Sequence, residues 1–460
     1  MDRRKDVSAA VEKLKGDFSG ILLLPDDKGY EVERHVHNGL IDKHPAIIAR
    51  CIDQTDIVKA LQLARQLSLE VAIRGGGHNV SGRATVEGGM MVDMSLMRKV
   101  EVDADARSAV AQTGATWADF NLATQAYGLA TPGGFISSTG IAGLTLGGGF
   151  GWITSKYGLA VDNLLSAEVV MANGEILNAS QDENADLFWA LRGAGANFGV
   201  VVSLKYRLHE VGPAVFGGFV AHPMEKAGDL FRVFRDVTAT LQDDETAIAG
   251  LLHAPDGSGT KLAVVAITNF GAEGENSRSI RKVREFGTPL IDNIASIGYS
   301  ELNTLMDGAF PKGALNYWKS NFLERLDDEA IDTMIESFAV CPAPLGQVMI
   351  EHFHGAVTRV AVEDTAVPLR KESFNFLALS QWIDPAATDV CVAWARETNE
   401  AMKPFMGKDR YVNYLGDDEP ETAAAAAYGE NFARLRKIKS RYDPENFFHM
   451  NQNIPPENPN

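Results

Sequence analysis

Apolar residues change their period repeatedly along this chain, and each change predicts an element. Over residues 57–69, Ile57, Leu61, Ala64 and Leu67 recur near helical spacing, with Thr55 or Asp56 placed to cap an amphipathic helix. The β-branched run Val71-Ala72-Ile73 predicts a strand through Arg74, and Met90-Met91-Val92-Asp93-Met94 predicts another. Residues 116–127 read as a helix closed by Gly128 at the C′ position. Two apolar runs around Asn173-Gly174, within Val169–Leu177, signal a hairpin. Asp186–Gly193 predicts a short helix stopped by its glycine, and the alternation over Gly199–Leu208 predicts a strand.

Past Val211-Gly212-Pro213 the texture changes. Glycine thins out, and helical segments alternate with single strands at Leu262–Ile267, Gln347–Phe353 and Phe374–Leu379. A domain boundary is expected near 208–213. In the last 50 residues or so, Tyr411-Val412-Asn413-Tyr414 reads as a strand, residues 421–441 as an Ala-rich helix, and the tail through Pro456 is rich in amides.

At 460 residues the chain is long enough for two or three domains, and 45% hydrophobic residues can fill a sizeable core. A formal net charge of −18 argues against nucleic acid or an anionic membrane as partner; a solvated surface accounts for it. Met1-Asp2-Arg3-Arg4-Lys5-Asp6 lacks an apolar core, so no signal peptide is expected, and no apolar run is long enough to predict a membrane span. Cys51, Cys341 and Cys391 are odd in number and scattered; they fit reduced, buried thiols in a cytoplasmic protein better than a disulfide framework or a metal site.

Candidate chemistry centres on two glycine tracts. Arg74-Gly75-Gly76-Gly77-His78-Asn79-Val80-Ser81-Gly82 follows the first strand, and Thr139-Gly140-Ile141-Ala142-Gly143-Leu144-Thr145-Leu146-Gly147-Gly148-Gly149-Phe150-Gly151 answers it. Residues without side chains let backbone N–H groups turn inward around a pyrophosphate, so a dinucleotide in an extended groove is expected. A tight loop whose His78 merely hydrogen-bonds is the alternative. The dinucleotide fingerprint of nicotinamide enzymes is missing, and so is the phosphate-loop lysine.

These tracts, with Lys156–Leu164, Leu187-Phe188-Trp189-Ala190-Leu191-Arg192-Gly193, Asn197–Val201 and Tyr442-Asp443-Pro444-Glu445-Asn446-Phe447-Phe448, closely resemble the berberine-bridge-enzyme-like FAD-linked oxidases. These belong to the para-cresol methylhydroxylase/vanillyl-alcohol-oxidase superfamily. The resemblance runs from about residue 40 to the C-terminus and is strongest to a bacterial branch of nicotine-type and polyketide-tailoring oxidases. It implies an α+β fold of two domains: residues 1–208 bind FAD, residues 209–408 form a substrate domain on an antiparallel sheet, and residues 409–460 complete the first.

The resemblance further implies a covalent bond from His78 to the flavin 8α-methyl. Many relatives add a second bond from a cysteine four residues before the position of Gly140. Ile136 stands there and no residue from 131 to 151 is a cysteine, so monocovalent FAD is expected. Arg74, Gly75, Gly76, Gly77, Asn79, Gly82, Pro132, Gly133, Thr139, Gly140, Gly143, Gly148, Gly149, Gly151, Val201, Asn413, Asn451 and Asn453 are the other implied cofactor contacts. Thr139 is placed at the flavin edge, where a valine is common in oxidases; its hydroxyl either steers oxygen or bonds only the backbone.

In a strand, Tyr411 and Asn413 share one face, and Val412 and Tyr414 the other. The resemblance makes Tyr414 the general base, with Tyr411 beside it; nearby positive charge would have to lower a phenol pKa of about 10. Packing of both tyrosines is the alternative. Glu351 and Phe353 share a face of their predicted strand and, with Phe150, Trp152 and Tyr317, are candidate substrate contacts, for each of which packing is an equal reading. His352 and His354 lack a third ligand for a metal.

Two-electron oxidation of a small organic substrate follows, at a C–H bond next to O or N or at an activated ring, with O2 as acceptor and H2O2 as product. Two rivals stand beside it: a monooxygenase or oxidative cyclase using an N5-oxygenated flavin, and a non-catalytic flavoprotein that binds ligand. Substrate identity and oligomeric state are left open.

Overall fold

The helix expected over 57–69 forms over Gln54–Gln66, because Asp53 rather than Thr55 or Asp56 caps it: its carboxylate accepts the Asp56 N–H at 2.9 Å. Asp56, fully buried, accepts instead the N–H groups of Ser19 and Gly20 at 2.9 Å and ties down the chain before it. This computed structural model describes residues 3–420 and 422–457. Val71–Arg74 and Met90–Asp93 form the expected strands and lie parallel. Ile47–Arg50 pairs on the far side of Met90–Asp93, and Ile21–Leu23 closes this four-stranded sheet.

A second, antiparallel sheet follows in the order Val100–Asp103, Ser108–Gln112, Val200–Arg207, Leu164–Val170, Ile176–Ser180. Its last two strands are the expected hairpin, and Gly174 takes φ 86 in the turn. Trp117–Gln125 is the helix expected at 116–127, held by a capping box between Thr116 and Asp119. Its C-cap is Ala126, so Gly128 stands one residue beyond C′; at φ 66 it still turns the chain away. Ala185–Ala194 kinks at Arg192 and Gly193, where φ reaches 134 at the glycine.

The large sheet comes wholly from residues 214–382. Its order is Ile291–Asp292, Ala214–Pro223, Lys261–Asn269, Glu245–His253, Gln347–Phe353, Ser373–Trp382, Leu315–Leu323, all antiparallel, with Ala295–Gly298 also on Ala214–Pro223. Helices Ala227–Thr238, Asp328–Ala339 and Thr388–Met402 cover one face. Strand alternation sorts the side chains: Val348 and Ile350 join Phe231, Phe234 and Met334 in the core under the helices, while Met349 and Phe353 join the cluster on the opposite face. Each fully buried Phe or Leu in these clusters contributes about 1.5–3 kcal/mol.

Two C-terminal expectations need correction. Tyr411–Tyr414 is not a strand; Val412–Tyr414 is a turn of 3-10 helix, pinned by the Asn413 amide, which donates to the Leu144 carbonyl at 2.9 Å and the Tyr411 hydroxyl at 3.0 Å. Positions three apart eclipse in such a turn, so Tyr411 and Tyr414 meet edge to face with ring centres 5.0 Å apart instead of alternating. The single helix expected over 421–441 is two, Ala423–Tyr428 and Phe432–Tyr442, because Gly429 adopts φ 49; residue 421 lies outside the described residues. Ala424, Tyr428, Leu435 and Ile438 nonetheless bury against the second sheet's core beside Phe188 and Leu191.

Among the described residues no helix is long and apolar enough to cross a membrane. Cys51, Cys341 and Cys391 are free and buried.

Candidate active site

A cavity of about 1690 Å³ of empty space, its open mouth included, separates the glycine tracts from the large sheet. Gly75, Gly76, Gly77, His78 and Asn79 line one side with Thr139, Gly140 and Gly143; Val201, Asn413 and Asn451 extend that wall, and Phe150, Glu351 and Tyr414 face it. Predictions scattered over the sequence thus converge on one space.

The glycines serve two purposes, and the sequence does not distinguish them. A Cβ on Gly76 would lie 2.5 Å from Gly140 backbone atoms, so these two glycines let the loops press against each other. Gly143 is the opposite case: nothing lies within 4 Å of its Cβ position, so it opens onto the cavity. Gly148 packs under the Tyr411 ring, Gly149 against Ala160, Gly133 against Trp117, Gly151 against the Gly133 carbonyl, and Gly82 against Ile41. Those five, expected at the cofactor, pack loops behind the wall.

Arg74 also turns away. Its guanidinium forks onto Asp93, with Nε–Oδ1 at 2.9 Å and Nη2–Oδ2 at 2.6 Å, and donates to the Glu33 and His35 carbonyls. Asp93 is fully buried, so this pair anchors the strand end from which the glycine loop departs.

Several expected contacts lie elsewhere. Tyr317 bonds Asp418 at 2.5 Å and Arg396 at 2.9 Å on the outer side of the sheet, since its neighbour Trp318 takes the cavity face. Phe353 stacks behind Phe150 at 4.0 Å, Trp152 is buried edge-on to Phe135 at 4.9 Å, and neither reaches the cavity. Pro132 is buried behind it, and Gln452 rather than Asn453 joins Asn451 in the wall. Tyr411 stands one layer back, its hydroxyl accepting the Gly149 N–H at 2.8 Å.

His78 stacks on His37 with ring centres 3.9 Å apart, and its Nε2 lies 3.5 Å from the Ser138 hydroxyl. Burial first, and His37 second, pull the His78 pKa down to about 3, so the imidazole is neutral. Thr139 lines the cavity, and its hydroxyl has no hydrogen-bond partner among the described residues.

Across the cavity the Tyr414 hydroxyl donates to Glu351 Oε1 at 3.1 Å, and the Asn375 amide donates to Oε2 at 2.7 Å. Burial raises the Glu351 pKa to about 7 against the lowering effect of those two donors. Burial, then the Glu351 charge, raises Tyr414 well above 10. With the phenol pushed up and the carboxyl titrating near 7, Glu351 is the member of the pair that ionises first as pH rises.

Reasoning from sequence missed Arg83, Met306, Phe310, Met349, Leu377 and Leu379, which also line the cavity. Met349 and the Leu377–Leu379 pair carried a signal, two residues along the same strand face from Glu351 or from each other. Arg83, Met306 and Phe310 carried none.

FAD fits this space. The opening at Gly143 leaves room at the backbone, and Arg83, whose Nη atoms donate to the Met450 and Asn451 carbonyls at 3.2 Å and pair with Asp417 at 3.5 Å, keeps a buried Nε free to donate to a long, anionic, flat ligand.

Comparison with known proteins agrees. Residues 45–180 match the FAD binding domain family, and residues 410–455 match the berberine and berberine-like family. The chain is 31% identical over 452 residues to (R)-6-hydroxynicotine oxidase of Paenarthrobacter nicotinovorans, covering 96% of this chain and 97% of that one. It is 39% identical over 466 residues to an FAD-linked oxidoreductase of Aspergillus terreus, covering 95% and 94%. The crystal structure of 6-hydroxy-D-nicotine oxidase from Arthrobacter nicotinovorans superposes with a TM-score of 0.87 at 28% identity, covering 96% of this chain and 98% of that one.

Proposed function

The chain belongs to the berberine-bridge-enzyme-like FAD-linked oxidoreductases, and on that premise we propose that it is an oxidase. It removes a hydride from a C–H bond and a proton from the adjoining O–H or N–H of a small organic substrate, and the electrons pass to O2 to give H2O2. The observation that carries this reading is the Tyr414–Glu351 pair facing the glycine loops across one cavity. FAD, when bound, supplies the two-electron acceptor.

The chain's own residues supply position and proton transfer. Gly143 and the Gly75–Gly77 loop admit the cofactor, and Arg83 meets its charge. His78, its imidazole neutral, would hold the flavin at its 8α-methyl, and Ile136, which lines the same cavity, offers no thiol for a second attachment. The substrate proton goes to Glu351, directly or by way of Tyr414, whose own proton already points at Oε1. Tyr411 holds Asn413, and through it the turn that presents Tyr414. Residues 1–208 with 409–460 form the cofactor domain and 209–408 the substrate domain. Three buried free thiols support a reducing, cytoplasmic setting.

Anaerobic mixing with an oxidisable substrate, then admission of O2, tests the reading: flavin colour should bleach and return, with one H2O2 per substrate oxidised. Bleaching without H2O2 on reoxidation would overturn it. The unpartnered Thr139 hydroxyl favours a second reading, insertion of oxygen into the product, which label from ¹⁸O2 would reveal.

A further inference from the structure

Resting on the oxidase reading above, we infer that the substrate is a flat, largely apolar ring compound with one O–H or N–H donor at its edge, and not a carbohydrate. The large sheet presents a graded strip to the cavity. Trp318 lies directly opposite Leu379 across paired strands, and Leu377 opposite Met349 one step along. Glu351 lies opposite Asn375 at the next step. Of the residues the sheet contributes to the wall, Glu351 alone is ionisable. Phe310 and Tyr414 both meet Trp318 edge-on, with ring centres 5.8 and 6.4 Å away.

Most polar groups near the strip are already committed elsewhere; Asn375 Oδ1 and Gln381 Oε1 are left without a partner among the described residues, but neither residue lines the cavity. The Trp318 indole N–H donates to Asn316 at 3.2 Å. Met306 and Phe310 reach the cavity from a segment whose polar atoms hold the segment itself. The Ala309 carbonyl accepts the Gln347 and Gln381 amides at 3.3 and 3.1 Å, and Asp307 accepts the Ser137 N–H and hydroxyl at 2.8 and 2.5 Å. Just before it, Asn303 donates to the Gly134 carbonyl at 2.7 Å. The side of the cavity that the sheet forms, opposite the glycine tracts, is therefore preformed and offers a ligand aromatic and aliphatic surface plus one carboxyl–hydroxyl pair. A ring with a single donor satisfies that pair and buries the rest of its surface. A sugar would bring several hydroxyls to a wall with few partners, each unpaired one costing about tenfold in affinity.

The test uses the FAD-loaded enzyme without oxygen. Binding is read as a shift in the flavin visible spectrum, with 2-naphthol, 4-hydroxybenzyl alcohol, D-glucose and cellobiose as probes. The expected result is a spectral shift with 2-naphthol at concentrations at least about 100-fold below those needed for either sugar. Trp318→Ala, with its FAD still bound as evidence of folding, should weaken 2-naphthol about tenfold. A shift or bleaching with glucose or cellobiose at concentrations comparable to the ring compounds would overturn the substrate class while leaving the oxidase reading in place. So would the absence of any 2-naphthol response, or a Trp318→Ala variant that binds it unchanged. Binding of 4-hydroxybenzyl alcohol, whose benzylic C–H can be oxidised, with no bleaching of the flavin would support the class and count against the oxidase reading instead; 2-naphthol, which has no such C–H, serves only as a binding probe.

Discussion

Replacing Glu351 with Gln removes one charge while keeping nearly the same volume, so the Asn375 and Tyr414 contacts can persist around a group that no longer accepts a proton. If Glu351 is the final acceptor, anaerobic flavin reduction should slow by about 10²–10⁴-fold, the usual contribution of a positioned base. In the wild type the rate should rise with pH through about 7, where the buried carboxyl ionises, and level off above. The variant should lose that limb. The same pKa has a stability consequence. Burial raises the folded-state value from 4.5 to about 7, while the unfolded chain keeps the ordinary one. Between those pH values the unfolded chain releases a proton that the folded chain retains. Stability is therefore greatest, as far as this group is concerned, below 4.5, and is lost as pH rises to about 7. The gap is worth about 3 kcal/mol. Gln does not titrate, so Glu351→Gln should gain about that much relative to wild type between pH 4.5 and 8. Thermal melts of the two FAD-loaded proteins across this range measure the difference. A melting difference independent of pH, together with an unchanged rise in the reduction rate through pH 7, would refute both the raised pKa and the assignment of the base.

Tyr414→Phe leaves the carboxylate in place, so it should slow reduction less than Glu351→Gln while the limb near pH 7 survives; loss of that limb would make Tyr414 the titrating group. His78→Ala should release FAD on acid precipitation, whereas the wild type should keep it with the denatured chain, and retention by the variant would assign the bond to another residue. Asp93→Asn removes the buried carboxylate that Arg74 and Arg50 share, leaving Glu33 as their remaining acidic partner, and should cost about 1.5–3 kcal/mol in a denaturation measurement and loosen FAD; a stability within about 0.5 kcal/mol of wild type would show that the pair does not anchor the glycine loop.

Much of the first domain was legible because its signals are local. Asn173-Gly174 specifies a hairpin turn within a few residues, and a β-branched run ending in three glycines specifies a strand and the loop that leaves it. The misreadings share a cause. An apolar–polar alternation of four residues at 411–414 fits a strand, but no neighbouring strand pairs with it, and Asn413 found better partners in the Leu144 carbonyl and the Tyr411 hydroxyl. Gly429 in an Ala-rich run reads as tolerable until its positive φ divides the helix.

The chemical inventory is legible in residue order alone: two glycine tracts, His78 without a cysteine near 136, two tyrosines near the C-terminus, and an acid whose strand position set it two residues from Met349 and Phe353. Periodicity says which side chains share a face, and that information is carried by the backbone alone. What each face meets depends on how distant segments pack. That packing turned Arg74 inward to Asp93, separated the glycines pressed against other loops from Gly143, whose Cβ position is empty, and set Tyr414 against Glu351 across 63 residues of chain. Burial raised both pKa values, while the contact itself pulls Glu351 down and pushes Tyr414 further up. Burial and neighbouring charge determine a pKa, and neither exists until distant segments pack together.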